Sequence, residues 1–185
     1  YWKGLCGPDA VPLRAQVDPR GMESALEYAF LAERIAPSLA KLRVAGTHLS
    51  DLMGMEVSGM PLSTLIAPTD RDRLGQAVTR LFSDPAILRI DLRAEGGFGK
   101  PDMSGHMIIL PLRSDMGDVS RALGAVVTNG RIGRTPRRFE IAGIDVVAAL
   151  DPTLSAPAPT AEPVVAAPRK APGLAKLTNE ETFDA

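Results

Sequence analysis

Aromatic residues are scarce in this chain: they make up 4% of its 185 residues, with a single tryptophan, Trp2. A core built from such a sequence must be aliphatic, with the seven methionines as flexible gap fillers. There is one cysteine, Cys6, which excludes an intramolecular disulfide and any metal site needing several thiolates. Charge of one sign is also lacking. The 21 basic and 22 acidic residues leave a net charge of −1, which gives no general case for nucleic acid or an anionic membrane as partner. No apolar run approaches the roughly 18 residues of a membrane span, and no secretory signal pattern opens the chain. The expectation is a cytoplasmic protein without a membrane span. Because the chain begins Tyr1-Trp2 rather than with Met, targeting information upstream is not visible.

What is present is ordinary globular material, 45% hydrophobic and 23% charged. The organising stretch is Leu39 to Ile66. Ala40, Leu42 and Val44 alternate with Lys41 and Arg43, the period of a half-buried strand. Gly46 permits a sharp turn, and Thr47 is placed to cap a short helix whose apolar stripe is Leu49, Leu52 and Met53. Gly54 suits the left-handed position that ends it. A second short helix leads to Ile66, and helices this short must lean on a sheet.

Before this stretch, Tyr1 to Leu5 reads as a helix end, and Asp18-Pro19 as the start of another short helix. Tyr28 to Ile35 is apolar enough for a strand that forms a hairpin with the next through Ala36-Pro37-Ser38. After it, Pro68-Thr69 starts the longest helix, with Thr69 as cap and Leu74, Val78, Leu81 and Phe82 on one face, until Asp84-Pro85 stops it. Three strands follow: one around Leu88, Ile90 and Leu92, one from His106 to Leu112, and one from Leu123 to Thr128. Hairpin connections make them an antiparallel meander. Arg131, Arg134, Arg137 and Arg138 form a basic cluster, read as a solvated linker or a site for a phosphate-bearing ligand or acidic partner. Phe139 to Leu150 is apolar and reads as a strand or a small helix. From Asp151 the chain is rich in Pro and Ala and has no periodicity, so residues 151–185 are expected to be disordered.

The order of elements, strand, strand, short helices, longer helix and three strands, resembles the PAS plan. Particular marks are similar to those of a bacterial family of small single-PAS proteins: Tyr1-Trp2 with Leu5, Pro12 with Arg14, Val17-Asp18-Pro19, the Arg43-Val44-Ala45-Gly46-Thr47 corner, and Gly54 with Gly59. The resemblance covers roughly residues 1 to 130. It implies an α+β fold with a PAS-like five-stranded antiparallel sheet, short helices on one face and an N-terminal helical appendage; the disordered C-terminal tail is read from composition and lies outside the resemblance. The expected divisions are 1–27 for the helical segment, 28–130 for the PAS-like domain, 131–150 for a basic linker with a short apolar element, and 151–185 for the tail. It also implies a sensory or regulatory role, without naming a ligand.

Cofactor signatures of such domains are not met. Flavin–cysteine photochemistry needs a cysteine in the cavity helix, and Cys6 precedes the whole sheet; haem usually takes a histidine from the long helix, which has none between Thr69 and Phe82. The cofactor is thus unknown, with both of these disfavoured. His48 and His106 stand far apart without a carboxylate pattern, so structural roles are expected and no metal site. The Gly96–Lys100 run lacks the Ser/Thr and the following helix of a phosphate loop and reads as a hairpin loop. Glu33 and Asp91 read as solvated strand positions. No nucleophile elbow or Cys/His pairing is present, so no catalytic residue is expected.

The expected function is a non-enzymatic sensory or regulatory module in bacterial signalling. It would bind a small ligand in a helix-walled pocket, for which the inward-facing candidates are Met53, Leu65, Val78, Ile90, Met107 and Leu112. Met53, Met55, Met60 and Met107 together could line an adaptable pocket, with core packing the simpler role for all four. The alternative is a ligand-free interaction scaffold that dimerises or docks through the sheet face and N-terminal helix. The partners left open are an unidentified signalling protein, a second copy and a small molecule.

Overall fold

The computed structural model of the chain describes residues 1–8 and 10–150. The expected disorder of 151–185 lies outside the described residues. Helix α1 (Trp2–Leu5) and two 3-10 turns (Arg14–Gln16 and Pro19–Ala25) lead into the hairpin of β1 (Ala29–Ala36) and β2 (Leu39–Ala45). Helix α2 (Thr47–Met53), 3-10 turns at Leu62–Leu65 and Pro68–Asp70, and helix α3 (Arg71–Ser83) follow. The chain then forms β3 (Ala86–Ala94), β4 (Met103–Arg113), β5 (Val119–Asn129) and β6 (Glu140–Ala148).

The sheet has six strands in the order β2-β1-β5-β4-β3-β6, and every neighbouring pair is antiparallel. Five were expected; the sixth is the apolar stretch after the basic cluster. It forms a strand because Ile141, Ile144 and Val146 register against Leu92, Ile90 and Leu88 of β3 and extend the same apolar face. The Leu88–Leu92 alternation is seen directly: the even-numbered residues are buried and Arg89, Asp91 and Arg93 are exposed.

Two apolar layers flank the sheet. The larger lies between the sheet and α2, α3 and the 3-10 turn at Leu62–Leu65; it holds Phe30, Leu42, Leu49, Leu52, Leu81 and Ile109 among others. The smaller lies on the outer face, where Trp2, Val11 and Val17 of the N-terminal segment cover Ile87, Leu112 and Leu123. The Trp2 indole donates to the Pro111 carbonyl (3.0 Å), and the Arg113 N–H to that of Pro12 (2.8 Å), which fixes this cover to β4.

Two helix starts differ from expectation. Gly46, not Thr47, is the N-cap residue of α2. A Cβ at Gly46 would run into the carbonyls of Leu26 and Glu27, and that close approach lets the Glu27 carbonyl accept the His48 N–H (3.0 Å) in place of a hydroxyl cap. Pro68–Asp70 is a separate 3-10 turn, so α3 starts at Arg71 with Asp70 as N-cap rather than Thr69. The Asp70 carboxylate makes no cap bond; it accepts from the Ile141 N–H of β6 (3.0 Å) and from Arg73 (3.0 Å). Asp18 behaves as expected, accepting from the Arg20 N–H (2.9 Å) with Pro19 next in line.

Candidate functional site

Of the six pocket candidates, Met53 on α2, Leu65 on the 3-10 turn, Val78 on α3, Ile90 on β3 and Met107 on β4 meet in the larger apolar layer. Leu112 does not. It lies five residues beyond Met107 on the same strand, and strand side chains alternate between faces, so the two point to opposite sides of the sheet. Leu112 accordingly packs with Trp2 and Leu123 on the outer face. The five that meet are each almost fully buried, packed among one another and their aliphatic neighbours. Met60 packs against this layer, whereas Met55 is exposed.

Open space begins beside that layer. A cleft of about 480 Å³ lies between the β1–β2 turn, the Leu62–Leu65 turn and α3. Ala40, Leu62, Leu74 and Val78 belong both to its wall and to the buried layer. Its polar groups are the hydroxyls of Ser38, Ser63 and Thr79, the Gln76 amide, and the charges of Arg71 and Asp72. Local sequence explains the shape. Asp72, Gly75, Gln76 and Thr79 follow helical spacing and form the face of α3 opposite its apolar stripe. Gly75 allows the helix to approach the turn, since a Cβ there would stand 3.3 Å from that of Ser38. The Thr79 hydroxyl donates to the Pro37 carbonyl (3.2 Å), which joins α3 to the β1–β2 turn, or to that of Gly75 within the helix (3.0 Å).

The basic cluster separates into unlike members. Arg131, Arg134 and Arg138 are exposed, but Arg137 is 1% exposed. Its guanidinium donates to the carbonyls of Ile132 (2.9 Å) and Pro101 (2.7 Å), with a longer contact to Ala94 (3.5 Å). Among the described residues no carboxylate pairs with it; the fixed fork of donors is met by backbone dipoles instead. Its N–H bonds the Leu52 carbonyl of α2 (2.7 Å), and Phe139 two residues on is fully buried and bonds Leu65 and Ala67 through its backbone. The segment read as a linker therefore closes the helical layer from one side.

His48 is half-buried. Its Nε2 lies 3.0 Å from the Thr128 hydroxyl, and its ring meets that of Tyr28 edge-on at 5.0 Å. Burial pushes its pKa down, against the opposing pull of Asp51 and Glu27. His106 and Asp91 form an exposed pair on neighbouring strands (2.8 Å). Glu33 bridges Arg43 and Arg121 across three strands; its hydrogen bond with Arg43 is the main cause that holds its carboxyl below the usual range. Gly97 and Lys100 exchange backbone hydrogen bonds (2.7 and 2.9 Å), and the Lys100 ammonium donates to the Pro136 carbonyl (2.9 Å), so this loop is a hairpin tip. Cys6 sits with the outer-face layer, its thiol 3.6 Å from the Trp2 carbonyl and raised in pKa by burial. Among the described residues no group of three or more His, Cys, Asp or Glu side chains is placed to hold a metal ion, and no helix is long and apolar enough to cross a membrane.

The buried layer is legible in the sequence; the cleft and the inward turn of Arg137 are not. The polar stripe of α3 was a visible signal for one wall of the cleft. Nothing local in Arg131–Arg138 marks which of the arginines turns inward.

The family pattern described as PAS domain matches residues 1–127. No curated protein matches the chain. Among solved structures the chain is similar to the light state of the blue-light photoreceptor Aureochrome1 LOV, with 13% identity over 60% of this chain and 88% of that one, at a TM-score of 0.39. A light-oxygen-voltage domain studied with a flavin analogue gives 17% identity, 60% and 84% coverage and a TM-score of 0.41. An RNA-binding light-oxygen-voltage receptor gives 15% identity and a TM-score of 0.42, with 66% of this chain covering 37% of that one. The light, flavin and RNA properties belong to those proteins.

Proposed function

The chain belongs to the PAS domain family, and on that premise we propose that it is a non-enzymatic signal-sensing module whose small ligand enters the cleft between the β1–β2 turn, the Leu62–Leu65 turn and α3. One observation carries the reading: Ala40, Leu62, Leu74 and Val78 line the cleft and belong to the buried layer at once. A molecule seated there touches the packing that joins α3 to the sheet, so binding energy is coupled to the core without an intermediate. The lining suits a small molecule with an apolar body against Leu62, Leu74 and Val78 and hydrogen-bonding groups toward Ser63, Gln76 and Arg71. Met53, Leu65, Ile90 and Met107 form the layer behind, which answers to the ligand. A bacterial, cytoplasmic setting and a separate signalling protein as receiver belong to the same proposal.

Thermal-shift screening with metabolites tests it, using the wild type beside Ser63→Trp, which fills the mouth of the cleft. Compounds should raise the Tm of the wild type and leave the variant unmoved. No response in the wild type, or equal responses in both, would overturn the ligand reading.

A second reading, the interaction scaffold, is favoured by a different feature. An apolar groove of about 280 Å³ lies on the outer face, where Val17, Met22 and Leu26 stand over Leu31, Val44 and Leu123. Leu26 and Val44 are exposed. If this groove is the working surface, Val44→Lys abolishes partner capture while Ser63→Trp does not.

A further inference from the structure

The two edges of the sheet are protected differently. On β2 the middle of the edge is occupied: the Leu42 N–H donates to the Met60 carbonyl (2.9 Å), and the Gly59 N–H donates to the Leu42 carbonyl (2.7 Å). On β6 the first half is occupied as well. The Asp70 carboxylate takes the Ile141 N–H, and Arg73 donates to the Ile141 carbonyl (2.7 Å). The register then shifts by one residue between Ile141 and Gly143. Side-chain caps and bulges are devices that blunt an edge. Among the described residues neither appears beyond Gly143: the strand continues Ile144-Asp145-Val146-Val147-Ala148, with no lysine and no proline.

The direction of the backbone groups follows from alternation. The Ala149 N–H donates inward to the Pro85 carbonyl (2.8 Å). Counting back by twos along an antiparallel strand, Val147, Asp145 and Gly143 face β3, and Ala148, Val146 and Ile144 face outward. Ile141 faces outward too, which agrees once the shifted residue is allowed for. Among the described residues, no hydrogen bond reaches the outward groups of Ile144, Val146 and Ala148. Beside them a cleft of about 430 Å³ opens, lined by Arg80, Asp84, Pro85, Val146, Ala148 and Leu150.

We propose that this half of β6 is an interface with a second copy of the chain, pairing β6 with β6 antiparallel across a two-fold axis at Val146. A row of unpaired N–H and C=O groups specifies a strand as occupant. The second copy is favoured by register and charge. With the axis at Val146, Ile144 pairs with Ala148 of the other copy and Val146 with its own equivalent, so every outward group finds a partner. In that register Asp145 lies opposite Val147 and not opposite its own equivalent. An axis at Asp145 would set two carboxylates face to face, and one at Ile144 would run into the shifted segment at 142. The Val146 register also brings the second Ile144 beside Ala148 at the rim of the apolar cleft. The result is a continuous sheet through both copies, closed by symmetry. This surface is separate from the ligand cleft and from the outer-face groove, and it stands whether or not either is used.

Sedimentation equilibrium of the full chain tests the proposal, with amide hydrogen exchange by NMR at low and high protein concentration. The wild type should dimerise with concentration, and the amides of Ile144, Val146 and Ala148 should gain protection in step while Ala142 does not. Ala148→Lys, at an exposed position, should weaken dimerisation roughly tenfold or more, equivalent to about 1.4 kcal/mol, with circular dichroism unchanged. Val146→Pro removes an outward N–H and leaves the bonds to β3; it should act in the same direction, and the lysine variant decides if the proline variant unfolds. A wild type that stays monomeric, or a dimer that Ala148→Lys leaves intact, would overturn the proposal.

Discussion

Arg137 shows how one residue closes a layer. A buried cation that meets no carboxylate among the described residues is tolerated because its donors meet carbonyls of three separate segments, and those carbonyls need it in return. Arg137→Met keeps the bulk and removes the donors. It should cost about 3–6 kcal/mol in urea unfolding, because the two short charged hydrogen bonds are worth roughly 1.5–3 kcal/mol each. A loss within the scatter of surface substitutions would mean that the carbonyls find other partners. His48 makes a second prediction at this scale. Its pKa is lowered in the fold, so as pH falls the unfolded chain takes up the proton first. The stabilisation is complete above the normal histidine range and is lost as pH drops through it toward the lowered value. Unfolding free energy of the wild type should fall over that window, and His48→Gln should remove that part of the slope. Parallel profiles would show that His48 does not carry it.

Between elements, Asp70 joins the start of α3 to β6. Its carboxyl is held below the usual range, first by the Ile141 N–H and then by Arg73. The charged form is the bonded one, so its contribution is full above the normal carboxylate range and fades as pH falls through the lowered value. Asp70→Asn should cost about 1–2 kcal/mol near neutral pH, by chemical unfolding, and less in acid. Equal costs at both pH values would contradict this account. The same scale shows what the sequence made legible. Leu88, Ile90 and Leu92 announce a strand because one face is buried and the other wet, and the alternation is written in three consecutive pairs. Leu112 was misplaced because its strand is apolar on both faces; only the count from Met107 separates them. The cap at Thr47 failed for a tertiary reason: the Glu27 carbonyl, distant in sequence, accepts the helix N–H that a local reading gives to a hydroxyl. At Thr69 the 3-10 turn Pro68–Asp70 moves the helix start to Arg71, and the Asp70 carboxylate is taken by the Ile141 N–H of β6.

For the whole molecule, the sixth strand changes where the folded unit ends. Phe139 fills the helical layer and β6 covers β3, neither of which composition reveals in a segment opened by four arginines. A chain ending at Gly130 should fail to unfold cooperatively, since losing Phe139 alone is worth about 3–5 kcal/mol, against a total near 5–15 kcal/mol for a domain. A chain ending at Leu150 should keep a sharp transition. If the shorter chain were equally cooperative, the 28–130 division read from sequence would suffice. The larger claim is that the cleft beside α3 reports to the core. Backbone amide NMR of the labelled protein, titrated with small-molecule extract from its host, tests it most directly. The account predicts shifts at Ser63, Gly75, Gln76 and Thr79 that extend to Leu42 and Val78 in the layer beneath; no shifts, or shifts confined to the outer face around Val44 and Leu123, would contradict it.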